Sequence, residues 1–145
     1  MYYLVKNLHS ILAYIVLAAL IITVLYVLNA WLKNSKFTTG VKKLALSVLI
    51  ASHVQFLIGL IAYFISPLGF ANASKETMGN SVGRLYMLEH PLMMFLAIIF
   101  ITIGYSKAKR TADDKKKLKT ITIFYTIGLV LILSRIPWQT WLGAQ

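Results

Sequence analysis

Three histidines are the residues of this chain best suited to bind a metal or to carry a proton, and each lies in a separate apolar segment. They are His9, His53 and His90. His90 directly follows Glu89 and precedes Pro91, so a carboxyl group and an imidazole stand together in an otherwise apolar stretch. Ionisable side chains within a membrane span are costly, which makes each of them a candidate functional residue.

The composition indicates a membrane protein. Of the 145 residues, 59% are hydrophobic and 13% are charged, whereas soluble domains are nearer half apolar and a quarter charged. The net charge of +11 lies mostly between the apolar segments, so we attribute it to membrane topology and expect no nucleic-acid partner. Cysteine is absent, which excludes disulfides, thiolate metal sites and covalently attached c-type haem.

Four apolar segments predict four membrane-spanning helices in one all-α domain, residues 1–145. The spans are expected at about residues 8–32, 44–66, 85–105 and 120–141, each near the ~20 residues that cross a bilayer. Continuous apolar runs without period-two alternation favour helices over strands. Short connections favour an up-down four-helix bundle embedded in the lipid bilayer.

The basic residues predict the orientation of these spans. The first and third connections hold eleven of the 15 lysines and arginines, whereas the opposite side holds Lys6, Lys75 and Arg84. Because cytoplasmic loops are enriched in basic residues, both termini are expected on the non-cytoplasmic side. The predicted location is a bacterial inner (cytoplasmic) membrane, crossed several times.

The depths of the histidines are estimated from ~1.5 Å of rise per helical residue. Counted from the external ends of the spans, His9 and His90 form an outer layer about 10 Å below the surface. Counted from the internal basic residues, His90 lies about 10 Å above His53, and His9 about 10 Å above His90. Both counts place His53 deepest. The outer layer would also hold Glu89 and Arg135. A mutual ion pair is the first interpretation of these two charges, and a proton or quinone site is the alternative.

Other polar or irregular positions accompany these groups. Arg84 lies at the outer end of the third span, and Gln55 is expected on a different helix face from His53. Pro91 has no N–H group, so the carbonyl of Met87 loses its helical partner and the span is expected to kink. Three glycines admit either a flat cofactor or close helix packing, namely Gly59, Gly104 and Gly128.

A b-type haem held by two imidazoles is the first functional hypothesis. The iron takes axial ligands from opposite faces, so the two histidines should come from different helices at similar depth. His9 with His90 meets this condition best, and His53 with His90 is the second choice. The remaining histidine would hydrogen-bond a propionate or carry protons. Imidazole also suits zinc and copper, so a bare metal ion is an open alternative.

Four segments resemble a set of small bacterial four-helix integral membrane proteins that carry the label cytochrome B or hypothetical protein. They are Leu8-His-Ser, the run from Ser52-His-Val-Gln to Ser66-Pro, Arg84-Leu-Tyr-Met-Leu-Glu-His-Pro, and Ile136-Pro-Trp. The resemblance extends over essentially the whole chain. It implies binding of haem b and electron transfer, with the three histidines at the matching positions. Under the haem hypothesis, electrons would pass between the quinone pool and a partner.

Two other functions are open on the sequence. The main alternative is a cofactor-free accessory subunit that packs against a larger membrane complex, with the histidines and the pair of Glu89 and Arg135 joining helices. The other is a proton or metal-ion carrier that uses the three imidazoles in turn. No nucleophile–base pair or phosphate-binding glycine loop is present, so an electron-transfer or accessory subunit fits the chain better than a stand-alone enzyme.

Overall fold

A computed structural model describes residues 1–141 of the chain. The secondary structure of these residues is entirely helical, and four of the helices are long and apolar enough to cross a membrane. They are α1 (Tyr2–Leu32), α2 (Thr39–Ile65), a composite third segment (Ser81–Arg110) and α6 (Asp114–Ser134). The predicted all-α class and the four potential spans are therefore confirmed.

The third spanning segment contains an irregular turn. Helix α4 (Ser81–Arg84) leads into a wider π turn over Leu85–Glu89, and α5 (His90–Arg110) continues from there to the basic end. Short elements flank the long ones, namely a 3-10 turn (Phe70–Asn72), α3 (Lys75–Gly79) and α7 (Trp138–Trp141). The π turn places Glu89 and His90 at the junction with α5.

Side chains cap the N-terminal ends of two long helices. The Thr38 hydroxyl accepts a hydrogen bond from the Val41 N–H at 3.3 Å, at the start of α2. A carboxylate oxygen of Asp113 accepts one from the Lys116 N–H at 2.9 Å, at the start of α6. Each cap satisfies an N–H group that the first helical turn leaves without a partner.

The long helices pack in a ring. Helix α1 packs mainly against α2 and α6, and α5 packs mainly against the same two helices. Helices α1 and α5 therefore lie across the bundle from each other. Close contacts at glycine support this packing, because a Cβ at Gly104 would lie 2.5 Å from Cβ of Phe124 and one at Gly128 would lie 2.7 Å from Cγ1 of Ile101.

The buried core occupies the half of the bundle next to the basic connections. Its largest fully buried side chains are Tyr125, Leu20, Ile101, Leu118 and Ile121. The Tyr125 hydroxyl donates to the Ala45 carbonyl at 2.8 Å, which links α6 to α2. At the other end, the described residues 2–15, 53–65, 81–96 and 129–134 include no buried side chain. We call this second half the histidine end.

The fourth helix ends earlier than the sequence predicted. Helix α6 ends at Ser134, and Arg135 caps it with the side chain 46% exposed. Pro137 explains the difference, because proline disfavours helical geometry in the residue before it and so separates α6 from α7. The sequence prediction followed the apolar residues beyond this break and therefore extended the span too far. The depth of Arg135 in a membrane stays a prediction.

Candidate functional site

Two of the three histidines meet at the histidine end. The ring centres of His9, on α1, and His90, at the start of α5, are 6.3 Å apart, and the ring planes are inclined by 88°. The two residues come from helices that lie across the bundle. The structure thus brings together the pair that the depth estimate favoured.

His90 is oriented by the end of α6. Its Nδ1 lies 2.8 Å from the Arg135 carbonyl oxygen. A carbonyl can only accept a hydrogen bond, so Nδ1 carries the proton and Nε2 keeps its lone pair. Histidines that bind metals are commonly held in this way, with the other ring N–H donated to a backbone carbonyl.

His9 is oriented by Gln55 of α2. The Gln55 amide nitrogen lies 3.0 Å from Nδ1 of His9 and 2.8 Å from its carbonyl oxygen. An amide nitrogen only donates, so Nδ1 of the neutral His9 ring accepts and the proton sits on Nε2. The Gln55 carbonyl oxygen is buried and has no hydrogen-bond partner among the described residues. No sequence pattern pointed to this contact, because it depends on how α1 and α2 are turned towards each other.

The His9 ring packs directly against α2 at Gly59. A Cβ at this position would lie 2.7 Å from Cε1 and 3.2 Å from Nδ1 of His9. Only glycine leaves room for the imidazole at such a close approach. A flat cofactor resting on Gly59, one of the two interpretations of this residue, would compete with the ring for the same space.

His53 lies apart from the other two histidines. Its Nδ1 is 2.8 Å from the Leu49 carbonyl, one turn earlier on α2, so this nitrogen donates. Its Nε2 is 3.4 Å from the Thr102 hydroxyl on α5. These contacts link α2 to α5 nearer the middle of the bundle. Within residues 1–141, no three His, Cys, Asp or Glu side chains cluster in a way that could hold a metal ion.

Glu89 joins two arginines at the edge of the site. Its Oε2 lies 3.1 Å from Nε of Arg135, which is the ion pair predicted from the sequence. Its Oε1 lies 2.8 Å from Nε of Arg84, a second partner that the depth estimate had not paired with it. The three side chains are partly exposed, so the cluster lies at the outer surface of the bundle.

Tyr63 forms a hydrogen bond to the backbone of the π turn. Pro91 supplies no N–H to the Met87 carbonyl, as the sequence predicted. The Tyr63 hydroxyl of α2 donates to this carbonyl instead, at 3.0 Å. A hydroxyl from a neighbouring helix thus stabilises the irregular segment that carries Glu89 and His90.

The ring spacing of His9 and His90 suits a metal held between two imidazoles, although only His90 presents a free lone pair. Nitrogens on opposite sides of one metal are about 4 Å apart, twice the ~2.0–2.1 Å bond, which puts the ring centres roughly 6 Å apart. The observed 6.3 Å agrees with this spacing. Ligation by Nε2 of His9 would require its proton to move to Nδ1 and the Gln55 amide to turn so that its oxygen accepts. The turn would break the hydrogen bond from the amide nitrogen to the His9 carbonyl and put the amide oxygen in its place.

The cavity next to Gln55 is too small for a haem. An apolar cavity of about 190 Å³ lies next to Gln55 and is lined by Leu12, Ile15 and Val54 among others. Pockets for cofactors usually measure ~300–1,000 Å³. The cavity is smaller than this, and none of the three histidines lines it.

No family model, curated protein or solved structure matches the chain. The candidate site therefore rests on the contacts of its own residues. Its defining features are the facing imidazoles of His9 and His90, their separate backbone and amide partners, and the charged cluster around Glu89.

Proposed function

We propose that the protein is a small membrane cytochrome of the b type, or the haem-binding subunit of a larger one, with His9 and His90 as axial ligands. The 6.3 Å separation of these imidazoles, on helices that lie across the bundle, carries the proposal. Two axial nitrogens from opposite sides are what a haem iron needs. The chain has no cysteine, so the group would be held without a covalent bond.

Bound haem would supply one-electron transfer, and the residues of the chain would hold and tune it. His90 offers Nε2 while the Arg135 carbonyl fixes its ring. His9 would offer Nε2 if its proton moved to Nδ1 and the amide oxygen of Gln55 accepted a hydrogen bond from Nδ1. The apolar helices around both ligands would exclude water, and burial together with ligand identity sets the potential of such a centre.

We further propose an up-down bundle in a bacterial inner membrane with both termini on the non-cytoplasmic side. In support, eleven of the 15 lysines and arginines lie in or beside the two connections at the core end, residues 33–38 and 111–113. The histidine end would then face outwards. Electrons would pass there between the quinone pool and a membrane partner.

The first experiment is a reduced-minus-oxidised absorption spectrum of the purified full chain, with a haem assay by pyridine haemochrome. We expect near-stoichiometric haem b and a sharp α-band. His9→Ala and His90→Ala should each lose most of the haem. His53→Ala is the matched control and should keep it, because His53 has separate partners on α2 and α5. Protein from haem-replete cells that gives no Soret band would overturn the proposal.

A cofactor-free accessory subunit is the second candidate, and the contact between Gln55 and His9 favours it. Gln55 donates both to the imidazole and to the backbone of His9, so the ring already serves as a link between α1 and α2. This function predicts no haem in the wild type and a stable partner complex in mild detergent. His90→Ala would then weaken that complex with no spectral consequence.

A further inference from the structure

The end of the bundle opposite the histidines holds a second candidate site. A cavity of about 190 Å³ opens there between the ends of α2, α5 and α6. Its wall contains three lysines, two aromatic rings and the first residue of α2, which are Lys42, Lys109, Lys117, Phe37, Tyr105 and Thr39. We propose that this cavity, here called the basic cavity, binds the phosphate head group of an anionic phospholipid.

The charge of the basic cavity selects an anion. Lys42, Lys109 and Lys117 come from three different helices and converge on one space. None of the residues that line the cavity is acidic. The acidic neighbour is Asp114, whose Oδ1 lies 3.4 Å from Nζ of Lys117 and offsets one of the three charges. A net positive charge is left to be balanced by a ligand.

The hydroxyl and apolar side chains of the cavity suit a phosphate group that is attached to acyl chains. The hydroxyls of Thr39 and Tyr105 can donate hydrogen bonds to phosphate oxygens, and the first turn of α2 adds the positive end of its dipole. The floor is apolar, since Ala108 and Ile121 are buried there. Nζ of Lys117 lies 5.4 Å from the ring centre of Phe37, which keeps this ammonium group at the cavity.

The position of the cavity in the fold explains why the anion would be a lipid. Its lining residues lie where spanning helices end, with Lys109 next to the last residue of α5 and Lys117 near the start of α6. Helix ends of this kind lie at the head-group layer of a bilayer. Lipid phosphate is the most concentrated anion in that layer, and basic pockets between spanning helices are known to bind anionic head groups.

The test measures lipid binding to the purified full chain in detergent by native mass spectrometry and thermal melting. Phosphatidylglycerol and cardiolipin should bind and raise the melting temperature, whereas phosphatidylcholine should do neither. Inorganic phosphate is the arm that distinguishes a free anion from a lipid. Binding of inorganic phosphate alone, or equal binding of phosphatidylcholine, would overturn the proposal.

Two triple variants separate the cavity from general surface charge. Lys42→Gln, Lys109→Gln and Lys117→Gln together should weaken phosphatidylglycerol binding roughly a hundredfold, at about fivefold for each lysine. The control removes three charges from exposed lysines that do not line the cavity, Lys36, Lys115 and Lys116. It should change the affinity only a few fold. Equal losses in the two triple variants would overturn the proposal. Lys109→Gln alone gives a milder check, since this exposed residue has no part in the core.

Discussion

His9 and His90 face each other with their protons on different nitrogens, 6.3 Å apart between ring centres. The Arg135 carbonyl accepts from Nδ1 of His90, whereas the Gln55 amide donates to Nδ1 of His9. The nitrogen that His90 leaves free is therefore an acceptor, and the one that His9 leaves free is a donor. A metal needs lone pairs from both rings, so His9 and Gln55 must rearrange before both imidazoles can ligate.

The first prediction is that the two imidazoles are opposite tautomers in protein without haem. With ¹⁵N-labelled histidine, NMR should find the His9 proton on Nε2 and the His90 proton on Nδ1. Gln55→Leu should remove the preference at His9 and leave His90 unchanged. His53 is the internal control, because its bond to the Leu49 carbonyl fixes the proton on Nδ1. A wild-type His9 with its proton on Nδ1 would contradict the contact from Gln55.

Gly59→Ala should disturb the site through packing alone. The added methyl group would lie 2.7 Å from Cε1 of His9, so the ring or the helix must shift. Overpacking of this kind costs about 1–3 kcal/mol in the free energy of unfolding. Chemical denaturation followed by circular dichroism measures the change, and haem content should fall with it.

Gly79→Ala is the matched control for that substitution. A Cβ at Gly79 would meet no atom within 4 Å, so the free energy of unfolding should change by less than about 0.5 kcal/mol. Equal effects of the two alanines would mean that the close approach of His9 to Gly59 does not constrain the bundle.

The third prediction concerns the partner that Tyr63 gives to Met87. Tyr63→Phe removes the hydrogen bond to the Met87 carbonyl and should cost about 1 kcal/mol in unfolding free energy. In a Pro91→Ala background the new N–H can serve the same carbonyl, so the cost of Tyr63→Phe should fall towards zero. A double-mutant cycle measures this coupling. Equal costs in both backgrounds would show that the proline does not create the need for the hydroxyl.

The sequence predicted the parts of the site that depend on local properties. Four apolar helices follow from apolar length, and the count of helical rise from the external ends made His9 and His90 the preferred pair. The contact from Gln55 could not be predicted, because it depends on how α1 and α2 are rotated about their axes. All four spans are apolar around most of their circumference, so no hydrophobic stripe sets that rotation. The end of the fourth helix was predicted too late because Pro137, and not the apolar length, ends α6.

The last prediction tests the orientation in the membrane with single cysteines, which the natural chain lacks. Ala71→Cys lies in the connection after α2, and Ser35→Cys lies in a basic connection; both positions are exposed. In spheroplasts, a membrane-impermeant maleimide should label Ala71→Cys at once and Ser35→Cys only after permeabilisation. Thr23→Cys is a buried control and should stay unlabelled in both conditions. The reverse pattern would put the histidine end in the cytoplasm, where the proposed electron exchange at the external surface could not take place.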